Sequence, residues 1–164
     1  MTLIKQLVYL KEFLNESMDL KKFKFKYQLR VRSYEVDWAG IVHNAVYLQY
    51  FETGRIEYLK HLGIEVSYQN INTKSRVVIV RNEINYKHPA RFDDLLDIYV
   101  RISTIGKTSF TFESVIVNPI LRKYISDNIS VHVWLDEITG EPIKVDDRFI
   151  ETVQNYEGDN LKFI

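Results

Sequence analysis

A single long helical pattern followed by an unbroken series of strand patterns is the feature that most limits how this chain can fold. From Asn44 onward, Tyr47, Leu48, Phe51, Gly54, Tyr58, Leu59 and Leu62 place a broad apolar face on a helix of about eighteen residues. Asn44 is the expected N-cap, and Gly63 stands where a C-cap glycine would, with Lys60 and His61 in the last turn. Gly54 weakens the helix at its middle, so the expected compensation is close approach of a strand or a partner chain. Before the helix, residues 22–32 read KFKFKYQLRVR. Phe23, Phe25, Tyr27, Leu29 and Val31 point one way and the basic residues point to solvent, which predicts a strand with one buried face.

After the helix the period stays at two. RVVIVRNEINY, bounded by Pro89, is followed by DLLDIYVRISTI. TSFTFESVIV comes next, past the turn at Ile105-Gly106-Lys107, and Asn118-Pro119 ends it. The last pattern lies in KYISDNISVHVWLDE, centred on Ile129 to Leu135, before a tight turn at Gly140. One helix ahead of a meander is an α+β arrangement, an antiparallel sheet that buries one face on the helix. A cystatin-like cone has a similar element order and is the competing fold. Residues 22–150 are read as one domain. Residues 1–21, with Leu3, Leu7, Leu10 and Leu14 on one face, read as an amphipathic helical extension that packs on the domain, binds a partner or is poorly ordered. Residues 151–164 read as a C-terminal tail, with a short helix from near Asp146 as one reading.

Composition removes several function classes. With 22 basic and 22 acidic residues the chain has no bulk charge for a polyanion, and the KFKFKYQLRVR lysines and arginines read as a wet sheet face. There is no cysteine, hence no disulfide, thiolate nucleophile or cysteine-ligated metal. The 4 histidines, His43, His61, His88 and His132, form no HxxH or HExxH pair, so no metal is expected. No apolar run reaches membrane-spanning length and no secretion signal is legible, so the cytoplasm is the expected location.

The densest cluster of chemical groups is the loop Ser33-Tyr34-Glu35-Val36-Asp37-Trp38-Ala39-Gly40-Ile41-Val42-His43-Asn44, between a strand and a helix start. Free N–H groups and the positive dipole end of a helix stabilise a nearby carboxylate, and they also polarise a bound carbonyl. A carboxylate beside such donors is a minimal acyl-transfer site. The competing reading makes Asp37 an Asx-turn clasp that holds the loop.

Glu35, Asp37, Gly40, Val42, Asn44, Tyr47, Tyr50 or Phe51, Glu52 and Arg55 resemble the motif run of the hotdog-fold thioesterases of the 4-hydroxybenzoyl-CoA thioesterase and YbgC type. INYKHPARFDDLLDIYVRI, the hairpin at Gly106, Ser109 and Phe110, and VHVWLDEITGEPIKV resemble later parts of that family, over about residues 23–150. The resemblance implies a sheet wrapped around one central helix, subunits paired through continuous sheets as dimers or tetramers, and active sites between subunits. It implies Asp37 as the catalytic carboxylate, a general base or nucleophile on an acyl-CoA or acyl-carrier-protein thioester. Asn44 and His43 stand beside it at the helix start. Coenzyme A then enters with the substrate and no further cofactor is required.

Trp38, Gly40 and Tyr47 are candidates for the acyl slot, and His88 and Arg91 for the phosphate or pantetheine end. Lys107 reads as a solvated turn residue, and Arg122 and Lys123 have equal claim to phosphate. Glu52 and Arg55 are spaced to pair, or to tie the helix to loops or a partner. The chain departs from the family run at Glu35, where Asp is usual, and at Ser33 and Asn44, where some members carry Tyr and His. Two other functions compete: a non-catalytic hotdog protein that binds an acyl ligand or organises a complex, and a dehydratase, which commonly needs a positioned His.

Overall fold

The computed structural model describes residues 20–64 and 75–164. The amphipathic extension expected over residues 1–21 lies almost wholly outside the described residues. In chain order the elements are β1 (Phe25–Arg30), α1 (Asn44–His61), β2 (Ser75–Tyr86), β3 (Leu95–Ile105), β4 (Ser109–Asn118), β5 (Lys123–Asp136), α2 (Asp147–Glu157) and β6 (Lys162–Phe163). The sheet runs β1-β3-β4-β5-β2, antiparallel throughout, and β6 adds to β3 in parallel. The connection from β1 to β2 therefore crosses the whole sheet, and α1 is the element that makes the crossing.

Burial explains why α1 stays on that face. Its buried side is Tyr47, Tyr50, Phe51, Gly54, Arg55 and Tyr58, set against Leu96, Ile98, Val100, Phe112 and Ile116 of the strands. Leu48, expected on the apolar face, is 38% exposed, while Tyr50 and Arg55 point in. The buried face therefore differs from the one read from hydrophobicity alone. Gly54 is where it touches the sheet most closely. A Cβ there would stand 2.8 Å from Ile98 Cγ2 and 3.0 Å from Val100 Cγ2, so the close approach is to a strand of the same chain. The helix ends in a Schellman motif: Ile64 N–H donates to Leu59 O at 2.9 Å and Gly63 N–H to Lys60 O at 2.9 Å, with Gly63 at φ +72°.

Bulges at Ile79/Arg81 and Ile102/Thr104 bend the sheet around the helix. On the wet face, Lys26 and Gln28 of β1 both reach the buried Asp97, at 2.7 and 2.6 Å, and the Asp97 contact raises the Lys26 pKa. Lys26 thus meets a carboxylate on the neighbouring strand, while Lys24 donates to Tyr156 O at 2.6 Å. The C-terminal segment closes one end of the core. Asp146 caps α2 by accepting from Phe149 N–H at 2.9 Å, and Phe149, Val153 and Leu161 are buried. Tyr58 donates to Glu157 at 2.5 Å in a site where burial raises the pKa of both groups.

Candidate active site

The loop between β1 and α1 folds back on itself as a very short hairpin. Val36 and Val42 form an antiparallel bridge, Asp37 N–H donates to Ile41 O at 2.9 Å, and His43 N–H donates to Glu35 O at 3.0 Å. Gly40 makes the turn possible, at φ +73°. This pairing sets Asp37 beside the residues that begin α1. Asp37 is half-buried, and its Oδ1 accepts from Ala39 N–H at 2.8 Å. That is the Asx-turn clasp, but it occupies one oxygen; Oδ2 has no partner among the described residues.

The helix start differs from expectation in one respect. His43, not Asn44, is the N-cap: its backbone is extended and its Nδ1 accepts from Ala45 N–H at 3.2 Å. Accepting at Nδ1 places the ring proton on Nε2, which faces outward on an exposed side chain. Asn44 is the first helical residue, and a side chain there cannot fold back over its own helix end as a cap does. Val46 N–H turns back to His43 O at 2.9 Å, so Ala45 and Val46 are both occupied. The Asn44 N–H is left without an internal acceptor among the described residues.

A second loop braces the first. Val42 N–H donates to Ala90 O at 2.9 Å, and Ala90 N–H donates to the Tyr47 hydroxyl at 3.1 Å. Arg91 Nη1 reaches Gly40 O at 3.5 Å while its backbone N–H donates to Asp94. Tyr47 is buried, which raises its pKa, and it packs edge-on to Tyr50 and Tyr86 beneath the loop. Tyr86, which the sequence did not single out, donates to Asn44 O at 3.1 Å and ties β2 to the helix start. Glu35 accepts from Tyr50 OH at 2.7 Å and from Arg32 N–H at 2.6 Å, so it is a buried loop clasp.

The fold brings Asp37, Gly40, His43, Asn44, Tyr47 and Arg91 together. His88 stands apart, with Nδ1 against Tyr124 O of β5 at 2.7 Å. Trp38 sits at the hairpin tip, 99% exposed. A groove of about 670 Å³ opens on the β1 flank of α1, between Tyr27, Leu29, Glu35, Tyr50 and Phe92; Asp37 is not on its wall. Glu52 and Arg55 make no ion pair among the described residues. No metal-ligand cluster occurs among the described residues. No described helix is long and apolar enough to cross a membrane.

The sequence profile of the Thioesterase superfamily matches residues 39–123. The chain belongs to the thioesterase superfamily. It is a hotdog-fold member of YbgC-like type, and its enzyme class is thioester hydrolase. The matched span begins two residues after Asp37. A putative esterase of Aquifex aeolicus is 33% identical over 92 residues, 56% of this chain and 71% of the relative. The acyl-CoA thioester hydrolase YbgC of Escherichia coli O6:H1 is 34% identical over 95 residues, 57% of this chain and 69% of the relative. Among solved structures, a thioesterase of Thermus thermophilus complexed with coenzyme A and Zn aligns with a TM-score of 0.71 at 26% identity, covering 84% of this chain and 96% of that one.

Proposed function

We propose that the chain hydrolyses acyl-CoA thioesters, with Asp37 as the catalytic carboxylate. The observation that carries the reading is a carboxylate with one oxygen pinned and the other unpartnered among the described residues, in a hairpin that leads into the Asn44 N–H, itself without an internal acceptor among them. The pinned Oδ1 fixes the orientation of the group; the spare Oδ2 is the reacting atom. Water adds to the thioester carbonyl carbon as Oδ2 removes its proton, the carbonyl oxygen takes the charge facing Asn44 N–H, and collapse expels the thiolate, which leaves as thiol. In the nucleophilic variant Oδ2 itself adds, the thiol departs, and water opens the mixed anhydride. Both end in free acid and thiol. The names of the E. coli relative and of the coenzyme A-bound T. thermophilus structure support acyl-CoA as the carrier. An acyl-acyl carrier protein thioesterase of Arabidopsis thaliana, 34% identical over 113 residues, supports the carrier-protein form as the second reading.

The unit we propose is a pair of subunits. β2 hydrogen-bonds β5 along one side, and its other edge has no strand among the described residues. Val77, Ile79, Val80 and Tyr86 are 42, 47, 59 and 50% exposed along it. An apolar edge of this length pairs with another strand unless it is protected, and a second copy of β2 would make one continuous sheet. Tyr86 at its end touches Asn44, so the seam would run past the catalytic loop.

The test is Asp37→Asn assayed against short, long and aryl acyl-CoAs and the matching acyl-carrier-protein thioesters. The amide oxygen keeps the Ala39 N–H bond, so the fold stays and turnover falls by about 10²- to 10⁴-fold. A variant that keeps more than a tenth of wild-type turnover overturns the role of Asp37. Wild-type protein inert on every thioester favours the non-catalytic ligand-binding reading.

A further inference from the structure

The groove on the β1 flank of α1 has no part in the reaction drawn above. Its volume of about 670 Å³ is that of a small-ligand site, and Asp37 is not on its wall. Ser33 and Glu35 both line it, and both are positions where the chain departs from the family run. Glu35 is its polar floor. This residue is 8% exposed, and both of its hydrogen bonds end on Oε2: Tyr50 OH donates at 2.7 Å and Arg32 N–H at 2.6 Å. Burial, and then the Glu35 contact, raises the Tyr50 pKa, so the phenol remains a donor. Glu35 Oε1 has no partner among the described residues, yet it is not one of their fully enclosed orphaned atoms, which are Ser114 Oγ and Glu157 Oε2. It therefore meets accessible space, and the groove is the cavity that Glu35 lines. A carboxylate oxygen this buried is costly without a donor, and a ligand N–H would complete it.

The wall and the rim supply the other two contacts. Phe92, in the loop before β3, stands on the wall 61% exposed, and its ring packs on no other ring among the described residues. A ring presented in this way accepts the flat face of an aromatic ligand. At the rim, Arg30 is spent on Asp93, with Nη1 at 3.1 Å from Oδ1 and 2.9 Å from the carbonyl oxygen. Arg32 is not spent. It is exposed, its Nη1 donates to Tyr34 OH at 2.6 Å, and no carboxylate lies within ion-pair distance of it among the described residues. Glu35 is the acid whose charge acts on it, after the Tyr34 contact. Its remaining guanidinium donors suit a phosphate.

An unpartnered acceptor at the floor, an unstacked ring on the wall and an unpaired cation at the rim describe the complement of a flat heterocycle with an amino group at one end and a phosphate at the other. We propose that the β1–α1 groove is an adenine nucleotide site: the 6-amino group donates to Glu35 Oε1, the purine stacks on Phe92, and the 5′-phosphate reaches Arg32. One vacant acceptor matches adenine, which has a single amino group on that edge; guanine would bring two adjacent N–H donors and leave one unpaired. Two sources carry this chemistry, a free adenine nucleotide and the nucleotide end of coenzyme A. The site is the same for both, and it stands whether or not Asp37 is the catalytic carboxylate.

Equilibrium dialysis of the full chain with 5′-AMP reads the site. Wild type is expected to bind AMP about 10-fold or more tightly than purine riboside 5′-monophosphate, which lacks the amine, and more tightly than GMP. Glu35→Gln keeps an oxygen for Tyr50 and the Arg32 N–H and turns its amide nitrogen to the groove, so the preference for the amine should vanish. Phe92→Ala, at an exposed position, should keep the fold and weaken AMP by about 5- to 100-fold. Wild type that does not bind AMP, that binds the amine-free nucleotide or GMP as well, or whose AMP affinity survives in Phe92→Ala overturns the proposal. So does an amine preference kept in Glu35→Gln; if that variant does not fold, the wild-type comparison and Phe92→Ala decide. Adding saturating coenzyme A separates the sources: AMP displaced assigns the groove to the nucleotide end of coenzyme A, and AMP retained assigns it to a free nucleotide. In the first case Phe92→Ala also raises KM for an acyl-CoA but not for the acyl-pantetheine. Wild type inert on every thioester refutes the thioesterase reading and leaves the dialysis result standing by itself.

Discussion

Replacing Gly54 with alanine tests how tightly the sheet is wrapped on α1. The added methyl would meet Ile98 Cγ2 at 2.8 Å and Val100 Cγ2 at 3.0 Å, and both side chains are 0% exposed in the core. Carbon atoms settle at about 3.5–4.0 Å, so the helix must lift or two β-branched side chains must leave their rotamers. Overpacking of this kind costs about 1–3 kcal/mol. Alanine also returns about 1 kcal/mol of helix propensity relative to glycine. The two oppose, and the net is a loss of roughly 1 kcal/mol, or a melting temperature lower by roughly 2–4 °C for a chain of this size. Gly54→Val adds two more methyl groups and should lose at least twice as much. Thermal melts at fixed protomer concentration measure it, because assembly would shift the midpoint. Gly63→Ala is the control: φ is +72° with open space around it, so its cost of about 1–2 kcal/mol is backbone strain without a clash. A Gly54→Ala protein that melts above wild type would refute the contact and show that the helix seats more loosely on β3.

Two further outcomes are expected. Burial and the Arg55 charge hold the His132 pKa down from 6.5 to about 4, so the folded state refuses a proton that the unfolded chain accepts. The stability this contributes is complete above the unfolded pKa and is lost as pH falls toward the folded one, up to about 3 kcal/mol by pH 4. Urea titrations at pH 7 and pH 4.5 should therefore show a smaller pH 7-to-4.5 loss for His132→Gln than for wild type; an equal loss refutes the buried neutral imidazole. Ile79→Lys places a charge on the exposed side of β2 and should shift the protein to monomer in light scattering, with turnover falling in parallel; a fully active monomer refutes the seam.

The strands were legible where one face was apolar. The alternation of KFKFKYQLRVR located β1 and its wet face, and the β-branched runs located β2, β3 and β4 to within a residue or two. The apolar pattern centres β5 on Ile129 to Leu135, yet the strand extends from Lys123 to Asp136. The reason is its polar inner face: with Ser126, Asn128, Ser130 and His132 turned inward, the hydrophobic period vanishes although the strand does not. Ile129, at the centre of the expected strand, is 39% exposed on the outer side. The loop was recognisable from residue types, but its working parts were not. That His43 caps the helix, that Glu35 is engaged by Tyr50, and that Tyr86 reaches Asn44 all depend on how the loop, the helix and a distant strand come together.

Sequence alone determined the order of elements, the single central helix, the need for close packing at Gly54 and the concentration of chemical groups before Asn44. These follow from local rules of period, capping and backbone freedom, which act over a few residues. Only the tertiary structure decided that Arg55 is enclosed with one long bond to Asn128, that His43 rather than Asn44 caps α1, and that Asp37 spends one oxygen on its own loop and keeps the other unpartnered among the described residues. Burial and hydrogen-bond pairing are set by which residues meet across the sheet, and those meetings join positions far apart in the chain, as Tyr86 to Asn44, Arg55 to Asn128 and Tyr58 to Glu157 show with separations of 42, 73 and 99.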